Sequence, residues 1–364
     1  MNNLFYELIY DKKSKRMMKT LSEIDKRHGS ITYTDLMSEL GVTRKTLNTD
    51  VDFIMETLPD DFSLTIDGTT INIINNNSKQ IQDYILEFAM DSAIFRIMEN
   101  VLYDIPMNIH GLAEELFISE SSIRKRIIYY NKIIKRFNVE LSSYSIQLLG
   151  DEICLRYFLH AFFTEFRQLV ILAPRTKRII HTDLYSKLRN AMLEKNYPIV
   201  NTSYFKAEHW FSLAVVRIQD NNFVKIDDDK LKHIILASIR YKEFKEVYLN
   251  VTSEICNTND LPEDEIMWAF ITILDTVIYS SNEKRFGMYR SDLIYNEKST
   301  MLHTINESMA HKVGLSGNGD FSTVLFAYFR NLTLLTALSP VYQVSSTSIK
   351  EIAKKISHIY TIYG

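Results

Sequence analysis

Two stretches decide the fold: LMSELGVTRKTLNTDVDFIMETL at 36–58 and LAEELFISESSIRKRIIYYNKII at 112–134. An offset of 76 lays one on the other. Leu36 and Leu40 map to Leu112 and Leu116, Glu39 to Glu115, and Gly41-Val42-Thr43 to Phe117-Ile118-Ser119. Leu47, Val51, Ile54 and Leu58 map to Ile123, Ile127, Tyr130 and Ile134. The paired leucines make one face of a short helix. Thr43 and Ser119 then stand where an N-cap stands, each with an oxygen that can accept orphan amide protons. The following helix carries its apolar residues at spacings of 4, 3 and 4, one buried stripe. Two short helices around a tight turn form a helix-turn-helix. Strand-like alternation follows each pair. It runs through Phe62, Leu64 and Ile66, turns at Asp67-Gly68, and returns through Ile71 and Ile73. In the second copy it runs through Val139, Leu141, Ile146 and Leu148. A helix-turn-helix followed by a hairpin predicts a winged helix, and the repeat predicts two in tandem, over 1–75 and 76–150.

The chain of 364 residues carries 42 Lys+Arg against 45 Asp+Glu, a formal charge of −3. That excludes a globally basic polyelectrolyte, yet duplex binding needs only a local basic face. Residues 119–137 hold Arg124, Lys125, Arg126, Lys132, Lys135 and Arg136 against Glu120, net +5. Opposite the core stripe lie Ser121, Lys125, Ile128, Tyr129, Lys132 and Arg136, flanked by Arg124 and Lys135. This is the pattern of a phosphate-contacting recognition helix. Residues 43–58 are net −1, with outward Lys45, Thr49, Asp52, Phe53 and Glu56. Only the start of that helix (Arg44, Lys45, Asn48, Thr49) is suited to base edges or phosphates. Residues 12–27 are again net +5. The second copy is therefore expected to supply most of the affinity, through Ser121, Ser122, Arg124, Lys125, Tyr129, Lys132 and Arg136, with Arg44, Lys45, Asn48 and Thr49 supplementing it.

Only 10 Gly and 6 Pro favour a mostly helical chain over a β-sandwich. From Asp151 onward the pattern is helical. Apolar faces run through Leu155, Phe158, Leu159, Phe162, Phe163 and Phe166, through Phe211, Leu213, Ala214, Val215 and Ile218, and through Ile234, Ile235, Ala237, Ser238 and Ile239. Leu261-Pro262-Glu263-Asp264-Glu265 starts a further helix with acids in its first turn, where they favour the dipole. The fold class expected is mainly α: two tandem winged helix-turn-helix domains, then helical bundles. No catalytic constellation, metal cluster or cofactor loop is read. Gly314–Asp320 lacks a leading strand and a GK[ST] ending, Asp227-Asp228-Asp229 lacks alternating calcium ligands, and the histidines form no HExxH. Cys154 and Cys256 form no CxxC and read as reduced thiols. The start MNNLFYELIYDKKSKR reads as no signal peptide, and no apolar run reaches the ~18 residues of a membrane helix. A cytoplasmic, non-enzymatic chain with no membrane partner is expected.

The turn GVTRKTLNTDVDFI and the unit LAEELFISESSIRKRIIYYNKII resemble the two DNA-binding domains of Mga-type virulence regulators of Gram-positive bacteria. Asp151–Phe158, then Glu208-His209-Trp210-Phe211 with Arg217, then Leu261–Ile266 are similar to a phosphotransferase-system regulation domain. The resemblance implies a transcriptional regulator, an activator of duplex-DNA targets, with a regulation-like domain over 151–282 and a second, shortened one over 283–364. It also implies a homodimer and histidine phosphorylation by a sugar-transport phosphocarrier. Thr272 stands where a second histidine is usual, and SerThrValLeuPheAlaTyrPheArg at 322–330 has aromatics in place of another. Phosphorylation thus rests on His209. The rival reading is a protein-interaction module in which the winged helices are scaffolds and the bundles bind a phosphocarrier or other protein. Residues 1–150 support it, with 17 basic against 21 acidic side chains.

Overall fold

The structure is a computed structural model describing residues 4–76, 80–164, 183–197, 202–256, 258, 260–277 and 331–345. Residues divide into two compact units: Met1–Ile133 with Leu141–Leu148, and Ile134–Glu140 with Leu149–Gly364. The first unit opens with α1 (Leu4–Leu8), α2 (Lys12–Lys26), β1 (Ser30–Thr32), α3 (Tyr33–Leu40) and α4 (Arg44–Thr57). Strands β2 (Phe62–Asp67) and β3 (Thr70–Asn75) follow, then α5 (Ile81–Met90), α6 (Ala93–Leu102), α7 (Ile109–Glu115) and α8 (Glu120–Ile134). A short pair, β4 (Glu140–Leu141) and β5 (Leu148–Leu149), comes after α8.

The offset of 76 holds in the left-handed turn residue, the bond that closes the turn and the helix cap. Gly41 and Phe117 both take the left-handed conformation, at φ 62° and 54°. Val42 N–H donates to the Met37 carbonyl at 3.2 Å, and Ile118 N–H to the Ala113 carbonyl at 3.0 Å. Thr43 Oγ1 accepts from Thr46 N–H and Ser119 Oγ from Ser122 N–H, each at 3.3 Å. These bonds satisfy donors that a helix start leaves open. Behind the turns, Leu36, Leu47, Val51 and Ile54 are wholly buried, as are Leu112, Ile123 and Ile134, with Ile127 and Tyr130 at 1% exposure.

The first hairpin is larger than the alternation suggests. β1 adds to it, giving an antiparallel sheet in the order β1-β3-β2. Asp67 pairs with Thr70, so the two-residue turn is Gly68-Thr69, one position beyond the expected one. Ile66 lies at the exposed end of its strand rather than in the core. The second hairpin is reduced to its root, yet Val139, Leu141, Ile146 and Leu148 are all buried. Asn131 on α8 clamps it: its Nδ2 donates to the Leu141 carbonyl and its Oδ1 accepts from Leu141 N–H, at 2.9 and 2.8 Å.

The second unit comprises α9 (Glu152–Phe163), α10 (Leu184–Glu194), α11 (Tyr204–Gln219), α12 (Asp229–Leu236), α13 (Ile239–Cys256) and α14 (Glu263–Thr272), with further helical turns over 273–276 and 331–345. Its core holds Phe158, Phe162, Phe163, Trp210, Trp268, Tyr248 and Tyr342. The first two apolar faces read from the sequence are buried through all their described members; Phe166 lies outside the described residues, as do Gly314–Asp320 and 322–330. The third face is not one face. The chain breaks between α12 and α13, and Ile239 is 62% exposed while Ile235 and Ser238 are buried. Asp228 is the N-cap of α12, accepting from Lys230 and Leu231 N–H. Among the described residues no group of three or more His, Cys, Asp or Glu side chains could hold a metal ion, and no helix is long and apolar enough to cross a membrane.

Candidate nucleic-acid interface

α8 starts at its Ser119 cap and shows one exposed stripe. Ser121, Arg124, Lys125, Ile128 and Lys132 are all exposed, and lie within one side of a helix of 3.6 residues per turn. Arg124 leans on Glu120 at 3.7 Å, a solvated pair of small worth. Lys125 and Lys132 have no ion-pair partner among the described residues. Ser121 Oγ is 3.0 Å from Ser119 Oγ, and Ser122 lies half-buried beside the cap. In the second unit, Arg136 is exposed in the turn Lys135–Phe137, with its guanidinium over the Phe137 ring.

Tyr129 does not join this stripe. Its hydroxyl donates to the Glu7 carbonyl at 2.6 Å, and its ring meets Tyr10 edge-on at 5.3 Å. Arg126 lies beside it, its guanidinium over the same Tyr10 ring at 5.2 Å. Burial raises the phenol pKa of Tyr129 and of Tyr130 behind it, so both stay protonated donors. The N-terminal segment thus braces the flank of α8 and leaves the cationic stripe open.

The start of α4 presents Arg44, Lys45, Asn48 and Thr49, all exposed. Arg44 sits over the Tyr33 ring at 5.3 Å, and Thr49 Oγ1 donates to the Lys45 carbonyl. Asp50, counted among the acids of this helix, is only 1% exposed. Arg16 holds it with Nε at 2.6 Å and Nη2 at 2.9 Å. The basic run at 12–27 is largely spent in the same way. Lys26 pairs with Glu23, Arg27 with Asp35 and Glu39, and the Lys13 ammonium sits 3.6 Å from the centre of the Phe53 ring. Asp50 lies on the core stripe between Leu47, Val51 and Ile54, and a carboxylate there was the signal that a cation must meet it.

His209 lies on α11 and is 4% exposed. Its ring meets His160 edge-on at 4.8 Å, and His160 stacks on Trp210 at 3.7 Å. Burial lowers His209 to about 4 and holds His160 well below the usual imidazole value, so both rings are neutral at pH 7. Sequence reading also missed a buried network in this unit. Arg156 and Glu265 are both fully buried and bonded at 2.5 and 3.1 Å, and Glu152 bridges Arg156 to Arg217.

Residues 75–163 match the family of the Mga helix-turn-helix domain. This stretch contains α7, the turn and α8. The chain is similar to a putative trans-acting regulator of Streptococcus pneumoniae, 25% identical over 61% of this chain and 44% of that protein. It is also similar to the capsule synthesis positive regulator AcpB of Bacillus anthracis, 26% identical over 39% of this chain and 30% of that protein. The chain thus spans less than half the length of either relative in these matches. A capped helix-turn-helix whose second helix bears an open cationic face, inside a stretch that matches that domain, makes the chain one that resembles the Mga-type regulators and carries their helix-turn-helix domain at residues 75–163.

Proposed function

We propose that the chain is a transcriptional regulator that docks on duplex DNA through α8, with the start of α4 as a second, lighter contact. In this reading the two repeat halves are tandem winged helices. The observation that carries it is the α8 stripe, where Lys125 and Lys132 stand exposed without a carboxylate partner among the described residues. Lysines and arginines so placed can replace the counterions condensed on phosphates. The Mga helix-turn-helix match and the regulator names of the relatives agree with it. The second unit is assigned signal reception and self-association into a dimer. The burial of His209 does not favour phosphoryl transfer from a phosphocarrier in this conformation.

The test is gel-shift titration of the whole chain on duplex DNA over a range of salt. Lys125→Ala with Lys132→Ala should flatten the plot of log affinity against log salt by about 1.8 units, at ~0.9 per phosphate contact. Full affinity with an unchanged slope in this variant would refute α8 as the docking helix. No shift with any duplex at low salt would favour the protein-interaction reading.

A further inference from the structure

Ile128 is the anomaly of the α8 stripe. It is 60% exposed, at the centre of a face otherwise made of cations and a hydroxyl. Arg124 precedes it by one helical turn, Lys132 follows by one, and Lys125 lies three residues before it. Helix geometry puts such neighbours about 5–6 Å apart at Cβ. A solvated face has no use for an isoleucine there. The core stripe of Ile123, Ile127, Tyr130 and Ile134 is complete without it, and none of those residues exceeds 1% exposure.

The neighbours decide what covers Ile128. Any partner must meet cations on both sides of the isoleucine and an apolar group between them. A protein surface of that kind would need carboxylates ringing a hydrophobic knob. The major groove supplies the pattern directly, with phosphates along both edges and the thymine C5-methyl as its apolar feature. Resting on the reading of α8 as the docking helix, we infer that Ile128 is a specificity-determining residue that reads a thymine methyl in the major groove. The flanking cations set the register and carry no sequence information themselves. Ile128 then supplies direct readout that the charges cannot.

The experiment starts with selection of duplexes from a random pool by the whole wild-type chain. The selected duplexes should hold a position fixed as thymine. Replacing that thymine by uracil deletes only the methyl. Wild-type affinity should fall about fourfold, the worth of one buried methyl-sized group. Ile128→Ala should bind the thymine duplex about fourfold more weakly than wild type and show no difference between thymine and uracil. Because Ile128 is exposed, thermal melting of the variant should match wild type. Equal uracil sensitivity in wild type and variant, or no thymine-selective position, overturns the inference. If Lys125→Ala with Lys132→Ala still loses affinity and salt slope, only the Ile128 assignment falls. If that variant binds normally, the reading of α8 itself falls.

Discussion

Glu265→Gln should be the most damaging single conservative substitution in the second unit. The Glu265 carboxylate is fully buried and accepts three bonds: Arg156 Nη1 at 2.5 Å, Arg156 Nη2 at 3.1 Å and Val224 N–H at 3.0 Å. Every one of its partners is a donor. A glutamine amide keeps the shape but turns one acceptor into a donor, so it faces a guanidinium or an amide N–H with the wrong polarity. It also strips a buried cation of its closest counter-charge, because Glu152 is already shared between Arg156 and Arg217. Arg156 cannot shed its proton, and it lies 4.4 Å over Trp268 with no exposed surface. Removing one partner of a buried ion pair costs about 3–5 kcal/mol, and the residual Glu152 contact puts the expected loss near ~3 kcal/mol. The double variant Arg156→Met with Glu265→Leu deletes both charges and should cost less than the sum of the two single changes. The assay is built into the chain. Its two tryptophans, Trp210 and Trp268, both lie in this core, so urea unfolding followed by tryptophan fluorescence reports the second unit. A Glu265→Gln loss below about 1 kcal/mol, or strict additivity in the double variant, would refute the reasoning.

The two turns offer a reciprocal exchange. Phe117 holds φ 54° with its side chain 95% exposed, a conformation costing a non-glycine residue about 1–2 kcal/mol. Phe117→Gly should raise thermal stability by roughly 0.5–1 kcal/mol after the entropy of the added glycine, and Gly41→Phe should lower it by a similar amount; a destabilised Phe117→Gly would show that the ring makes an undetected contact. His209 sets a pH dependence in the second unit. Its imidazole titrates near 6.5 when unfolded but at about 4 in the fold, so stability is lost as pH falls from 6.5 toward 4. The loss approaches ~3 kcal/mol. Glu208, raised by burial to about 7, takes up its proton early in the fold and offsets this loss between 6.5 and 4.5. His160, held neutral beside it, adds a loss of the same sign, so His209→Gln should remove only its own share of the acid loss through that window, and a wild-type-minus-variant curve flat with pH would sink the assignment. Asp50→Asn should cost about 2 kcal/mol, less than a fully buried pair because Arg16 is 28% exposed; urea unfolding followed by circular dichroism measures it.

The local elements of the repeat were legible because their causes are local. The capping oxygens of Thr43 and Ser119, the connecting turns and the apolar stripes all act within a few residues, and each sits where the spacing put it. The open face of α8 was legible for the same reason, since Lys125, Ile128 and Lys132 simply point away from the stripe. What could not be read depends on partners far along the chain. Tyr129 looks like a member of the open face until Glu7, 122 residues earlier, takes its hydroxyl. Arg156 looks like a stray charge in an apolar helix until Glu265, 109 residues later, meets it. The acids of Leu261-Pro262-Glu263-Asp264-Glu265 suit the helix dipole, but they are also ties: Asp264 accepts from Ile226 N–H and Lys232, and Glu263 from Tyr241 and Lys245.

The same distinction separates two segments of equal charge. Residues 12–27 and 119–137 are both net +5, and composition ranks them alike. In the fold, Arg16, Lys26 and Arg27 already face carboxylates, and Lys13 rests on an aromatic ring. A cation neutralised by its own chain has few counterions to exchange with a phosphate. On α8 the only acid is Glu120 at the first position, so Lys125 and Lys132 keep their full field and Arg124 gives up only a solvated pair of small worth. Three phosphate contacts at ~0.9 each predict a salt slope near −3 per bound chain from the body of α8. Engagement of the 12–27 run as well would drive the slope beyond about −6. Arg27→Gln should leave the slope unchanged, whereas Lys125→Ala alone should reduce it by about 0.9. A measured slope beyond −6 that falls by about 0.9 with Arg27→Gln would show that the N-terminal ion pairs open on the duplex, and that α2 as well as α8 holds the backbone.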